Sequence, residues 1–249
     1  MRSLPLLSAI LPFPVIETIG SDARSLPEVY GVRMWSCELD RGANEVEEFE
    51  SLLSSEEIRR ARSFRFLGDR NRFVVAHGFV RRVLSAVTGV ECRDLEYAYE
   101  AEGKPRLRDR QIEFSLSHSD DLAVLAVSRS VRVGVDVEKL LSIEELNFVA
   151  SKYLPKNDFY AICQAPARER SQLFLRFWTR RESLIKAAGL SLATHSSGST
   201  ISMDHGGSQG TPFAFAGSKW LTVSFRPADG YVGAVTIEDV GVIVPHEGE

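Results

Sequence analysis

Val131-Arg132-Val133-Gly134-Val135-Asp136-Val137-Glu138 alternates without a break. Side chains two apart on a strand share a face, so four valines point one way. Arg132, Gly134, Asp136 and Glu138 point the other. The two carboxylates then project together, about 7 Å apart at their Cα atoms. Acids on an otherwise apolar strand end are costly to bury unless a cation compensates them. Hard carboxylate oxygens suit Mg²⁺, which takes a few carboxylates together with phosphate and water oxygens. An antiparallel edge strand whose polar face meets water carries the same pattern, and both readings stand at this point.

Upstream, Leu122–Val127 is a near-continuous apolar strand. Ile112-Glu113-Phe114-Ser115-Leu116 alternates as another and ends in Ser117-His118-Ser119. Hydroxyls, an imidazole and loop amides there can bind phosphate oxygens, or simply form a polar turn. A catalytic Ser117–His118 pair is disfavoured, because adjacent side chains on an extended chain point apart. Further upstream, Ser54-Ser55-Glu56-Glu57 predicts a helix start with a capping box, and Ile58, Ala61 and Phe64 form its apolar side. Gly68-Asp69 reads as a break. A second helix is predicted over about residues 70–88, with Phe73, Val74, His77, Val80, Val83, Leu84 and Val87 on its period and Gly89 at its end. Gly103-Lys104-Pro105 reads as a turn that can hold Lys104 toward a phosphate; it lacks the Gly-rich run of a P-loop.

Downstream, Ser142-Ile143-Glu144-Glu145 resembles a capping box for a helix to about Ser151. A longer helix is predicted over about residues 168–188, stopped by Gly189. On it, Phe177-Trp178-Thr179-Arg180-Arg181-Glu182-Ser183-Leu184-Ile185-Lys186 sets Glu182 and Lys186 on one face. They are either an ordinary surface ion pair, worth about 0.3–0.5 kcal/mol, or a metal oxygen beside a phosphate-binding ammonium. Residues 195–210 read as a Ser/Gly loop. Three strands follow at about 212–216, 220–225 and 231–238, then a frayed tail after Val244.

The chain of 249 residues is 44% hydrophobic and 26% charged, enough for one large domain or two ordinary ones. Helices followed by strands, twice over, give an α+β class. Cys37, Cys92 and Cys163 are too few and too far apart for a disulfide framework or a structural zinc site, so a reducing, cytoplasmic setting is expected. The apolar, proline-interrupted Met1–Pro14 is not read as a signal peptide, and no run is long enough to cross a membrane. A net charge of −4 disfavours nucleic acid as a partner. Positive charge is nonetheless gathered in Arg59, Arg60, Arg62, Arg65, Arg70, Arg72, Arg81 and Arg82, a patch that suits a small polyanion.

The order and separation of four motifs are more specific than any one of them. Gly103-Lys104-Pro105, Phe114-Ser115-Leu116-Ser117-His118-Ser119, Gly134-Val135-Asp136-Val137-Glu138 and Trp178-Thr179-Arg180-Arg181-Glu182-Ser183-Leu184-Ile185-Lys186-Ala187 together resemble the signature of the Sfp-type 4′-phosphopantetheinyl transferases. The resemblance spans about residues 54–194. It implies two similar α/β halves related by a pseudo-twofold, here residues 1–128 and 129–249, with the cofactor in the cleft between them. It implies Mg²⁺, with Mn²⁺ as a substitute, on Asp136, Glu138 and Glu182. It implies coenzyme A held by Lys186, Ser117, His118, Lys104 and Pro105, with Arg60, Arg62 and Arg72 toward the 3′-phosphate. The implied reaction moves the phosphopantetheine arm to a serine of an acyl or peptidyl carrier protein, releasing adenosine 3′,5′-bisphosphate. Glu182 and Lys186 are the implied catalytic pair, and the implied state is a monomer. One residue departs from the pattern: Arg181 stands where the family usually has Lys before the motif glutamate, which keeps the charge but not an ammonium. The same residues would also serve a magnesium-dependent nucleotide phosphohydrolase, or a coenzyme A-binding module without turnover.

Overall fold

The computed structural model describes residues 23–29, 31–108, 112–129, 131–140, 146–191 and 213–240. The Ser142–Glu145 capping box, the 195–210 loop, the opening segment and the tail lie outside them. Among the described residues, two antiparallel four-stranded sheets and six α-helices make an α+β fold. The first sheet has the order β1-β2-β6-β5, from β1 (Ala23–Val29), β2 (Val32–Glu38), β5 (Glu113–Ser119) and β6 (Leu122–Ser128). The second has the order β7-β10-β9-β8, from β7 (Val133–Lys139), β8 (Phe213–Phe215), β9 (Ser218–Phe225) and β10 (Tyr231–Glu238). A small hairpin of β3 (Tyr97–Tyr99) and β4 (Pro105–Leu107) turns through Gly103, whose φ of 89° only glycine adopts freely.

The helices are α1 (Ala43–Ser51), α2 (Ser55–Arg62), α3 (Leu67–Thr88), α4 (Leu146–Tyr153), α5 (Lys156–Gln164) and α6 (Ala167–Ala188). Ser54 caps α2 through the predicted box with Glu57. Both 22-residue helices, α3 and α6, close on a left-handed glycine, Gly89 and Gly189. The predicted break at Gly68-Asp69 is instead the first turn of α3. Phe66 is extended and serves as N-cap, so Gly68 falls where backbone N–H groups lack helical partners anyway, and Asp69 complements the positive helix end. No helix among the described residues is long and apolar enough to cross a membrane.

Period-2 patterning sorts each central strand between two cores. From β2, Trp35 and Cys37 face α1–α3, while Val32 and Met34 face the second sheet. From β6, Ala123, Leu125 and Val127 face the helices, while Leu122, Val124 and Ala126 face the other way. Burial on both faces is why β6 reads as a continuous apolar run. The valines of β7 complete the inter-sheet core with Val235 and Ile237, each burial worth about 1.5–3 kcal/mol. The opposite face of β7 is covered by α6. A Cβ on Gly134 would stand 2.1 Å from the Ser183 carbonyl oxygen and 2.3 Å from the Ala187 nitrogen, so helix and strand backbones touch there. Asp136 is consequently only 4% exposed, and the solvated-edge reading of this strand is excluded.

Candidate active site at the seam of the two sheets

Strands β5 and β7 are edges of different sheets, and serine hydroxyls join them. Ser115, Ser117 and Ser119 occupy alternate positions of β5, so all three meet β7. The N–H groups of Val135, Val137 and Lys139 donate to their hydroxyl oxygens at 3.1, 3.3 and 3.2 Å. The hydroxyls in turn donate to the residue one place earlier. Ser117 reaches Asp136 Oδ1 at 2.8 Å and Ser119 reaches Glu138 Oε2 at 2.8 Å. The third register falls on Gly134, which has no side chain to bond. The Ser-His-Ser stretch is therefore strand, not turn, because its polar side has a second strand to face.

Helix α6 brings the remaining groups. Lys186 Nζ donates to Asp136 Oδ1 at 2.7 Å and to Ser117 Oγ at 2.9 Å. Glu182, one turn earlier, is 5% exposed, within a run of buried polar residues from Thr179 to Ser183. Such a run on a helix facing a sheet signals a built site rather than the surface ion pair that spacing alone allowed. Ser183 and Thr236 share a 2.8 Å hydroxyl bond, and Thr236 and Thr222 another, which fixes the helix on β10 and β9.

Burial, then the charge of Asp136, push the Glu182 carboxyl up to about 7, against the pull of Lys186 and Arg181. Burial raises Asp136 as well, opposed by Lys186 and Ser117. Glu138 is raised by burial, and the hydrogen bond from Ser119 and another with Trp178 hold it back. Arg181 is buried and couples to Glu182 and Asp158; desolvation lowers its pKa and the two acids oppose that. The ring of His118 points away from Ser117 and is exposed. Partial desolvation, then the Lys186 ammonium and His77, hold it below the ordinary histidine range.

At this seam two buried carboxylate oxygens, Asp136 Oδ2 and Glu182 Oε1, have no hydrogen-bond partner. Orphaned hard oxygens beside a raised carboxyl fit a divalent cation such as Mg²⁺. Among the described residues, however, no three His, Cys, Asp or Glu side chains already surround one metal-sized point. Glu138 turns to Ser119, and Lys186 holds the other oxygen of Asp136.

The other expected residues are placed elsewhere. Lys104 is not among the groups brought together: its side chain is 7% exposed and its ammonium faces backbone carbonyls and Glu113. Pro105 opens β4 beside it. Arg72 Nε donates to Asp121 at 2.9 Å, Arg60 lies 5.4 Å over the Phe73 ring, and Arg62 is exposed at the end of α2. Arg60 lines a cavity of about 530 Å³ with Phe73, His77, Arg81, Tyr97 and Tyr99. Arg81, read from sequence only as part of a basic run, is fully buried and ion-paired to Glu57. The pairing of a Ser-x-Ser-x-Ser strand with a Gly-x-Asp-x-Glu strand is the signal that would have identified Ser119 as a site residue.

Residues 132–236 match the family described as the 4′-phosphopantetheinyl transferase superfamily, and residues 41–130 match the 4′-phosphopantetheinyl transferase N-terminal family. The 4′-phosphopantetheinyl transferase HetI of Nostoc sp. is 33% identical over 187 residues, covering 74% of this chain and 76% of HetI. The 4′-phosphopantetheinyl transferase Sfp of Bacillus subtilis is 28% identical over 171 residues, covering 67% and 72%. A putative 4′-phosphopantetheinyl transferase of Synechocystis sp. is 26% identical over 160 residues, covering 63% and 64%.

Proposed function

This chain belongs to the 4′-phosphopantetheinyl transferase superfamily, and we propose on that premise that Asp136, Glu182, Lys186 and Ser117 form the centre where it works. It is an enzyme that transfers phosphopantetheine from coenzyme A to carrier proteins. The hydrolase and binding-module alternatives find no support among relatives that are named as transferases.

One observation carries the site assignment: Asp136 Oδ2 and Glu182 Oε1 are buried without partners, while Lys186 and Ser117 already hold Asp136 Oδ1. We assign Asp136, Glu182 and Glu138 as the residues that would hold Mg²⁺, or Mn²⁺ in its place. When bound, that ion supplies positive charge to the pyrophosphate oxygens of coenzyme A. Lys186 offsets phosphate charge from the α6 side, and His118, largely neutral, hydrogen-bonds phosphate oxygens from the β5 side, with Ser117 nearby. Arg60, Arg62 and Arg72 supply the basic surface for the 3′-phosphate, with Pro105 in the wall of the nucleotide site. Glu182 takes the proton of the carrier serine, directly or through a water. The serine oxygen bonds to the β-phosphorus as the bond to adenosine 3′,5′-bisphosphate breaks.

The halves 1–128 and 129–249, related by a pseudo-twofold, remain part of the proposal. Each contains one four-stranded sheet and one 22-residue helix closed by glycine. A cytoplasmic monomer goes with it. The test is mass spectrometry of an apo carrier protein incubated with this chain, coenzyme A and Mg²⁺. A gain of about 340 Da on the carrier is expected, lost in Asp136→Ala with the far-UV spectrum unchanged. Normal loading by Asp136→Ala would remove Asp136 from the centre.

A further inference from the structure

The Gly103-Lys104-Pro105 turn has a second reading in the structure. Lys104 Nζ donates to the Val133 carbonyl at 3.0 Å and the Ala187 carbonyl at 3.3 Å, and lies 3.2 Å from Glu113 Oε2. These acceptors belong to three elements: the first residue of β7, the penultimate residue of α6 and the first residue of β5. Arg132 Nε donates to the same Ala187 carbonyl at 3.1 Å. Its other end reaches Glu100 Oε2, in the β3–β4 hairpin, at 2.7 Å. Two cations thus fasten the hairpin to the last turn of α6. The final carbonyls of a helix lack intrahelical donors and carry the negative end of the helix dipole, so a cation there is doubly favourable. At Gly189, which closes α6 with a left-handed φ of 69°, an added Cβ would stand 2.3 Å from Glu100 Oε2 and 2.5 Å from an Arg132 nitrogen, so this ion pair lies directly against the helix end.

The clamped carbonyl is one residue from Lys186 and about one turn from Glu182. The helix is already in backbone contact with β7 at Gly134, so a small rotation of its last turn moves both side chains relative to Asp136. We propose that Lys104, assisted by Arg132, is a positioning residue that locks the C-terminal turn of α6 and so fixes Lys186 and Glu182 for transfer. Its deeply buried ammonium, facing three protein acceptors, distinguishes this from the phosphate contact expected of it. The consequence for transfer rests on the site assignment above; the clamp does not.

Lys104→Met in the full chain tests both. Amide exchange across residues 183–190 should rise about tenfold or more, while β2 and β6 keep their protection. The kcat for carrier loading should fall about tenfold, with KM for coenzyme A within about twofold of wild type. Weakened coenzyme A binding, with saturated kcat and α6 exchange both unchanged, would overturn the proposal and return Lys104 to the phosphates. Should Lys104→Met fail to fold, Arg132→Met is the second variant, expected to shift exchange and kcat in the same direction but less. Unchanged α6 exchange there would equally refute the clamp. Failure of wild type to load any carrier would sink the site assignment instead, and the exchange measurement would still decide the clamp.

Discussion

Replacing Glu182 by Gln should make the protein inactive and, above neutral pH, more stable. Burial and the adjacent Asp136 charge raise the Glu182 carboxyl from an ordinary 4.5 to about 7. Below pH 4.5 it is protonated in both folded and unfolded chains and costs nothing. Between 4.5 and 7 the unfolded chain ionises while the folded one does not, so folding loses ground as pH rises. Above 7 the full difference is present, roughly 3 kcal/mol at about 1.4 kcal/mol per pH unit. Gln keeps the shape and cannot ionise, and it also relieves Asp136. For a chain of this size that is about 6–12 °C in Tm. The assay is thermal unfolding of both proteins at pH 5 and pH 8 in EDTA. The variant should gain mostly at pH 8, and added Mg²⁺ should narrow the gap by stabilising wild type. An equal offset at both pH values, or a less stable variant at pH 8, would refute the reasoning.

Glu57 should behave in the opposite sense. Although burial raises it, hydrogen bonds from His77 and the Ser54 N–H and the Arg81 guanidinium lower it to about 2. Its contribution is present above pH 4.5 and lost as pH falls toward 2. In urea titrations Glu57→Gln should therefore cost up to about 3 kcal/mol at pH 7, with the deficit closing by pH 2. A pH-independent deficit would show packing loss alone. Gly134→Ala should lower the stability read from urea titration by about 3 kcal/mol or more, the upper end of overpacking costs, because its Cβ meets backbone rather than a movable side chain. An unchanged midpoint would mean that α6 does not rest on β7 there.

Elements whose own residues carry a period were legible in the sequence. The α2 capping box, α3, α6 and its glycine stop, β7 and β10 all appear within a few residues of their predicted bounds. Elements with weak local signals were not: β1, β2, α1, α5 and the β3–β4 hairpin went unpredicted. In β2, Val-Arg-Met-Trp-Ser-Cys-Glu is buried on both sides by partners distant in sequence, so its alternation is blurred. Asp136, Glu182, Lys186 and Ser117 are each candidates by residue type and motif, and their proximity is a tertiary fact that spacing along a chain does not contain. The same holds for Lys104: its charge invited an anion, whereas a helix end and a strand end, 83 and 29 residues downstream, are what it meets. Phe64, expected on the apolar side of α2, is 38% exposed because that helix stops at Arg62.

The three hydroxyls between β5 and β7 have a consequence for alignment. A plain backbone ladder repeats every two residues and tolerates a two-residue slip with little penalty. Here each rung differs, since glycine, aspartate and glutamate stand in order opposite Ser115, Ser117 and Ser119. Sliding one strand by two would set Ser119 on Asp136 and Ser117 on glycine, leaving Glu138 in the seam without its donor. The two sheets carry a key that admits one mutual setting, and a single-residue insertion in either strand would turn that key's teeth the wrong way round.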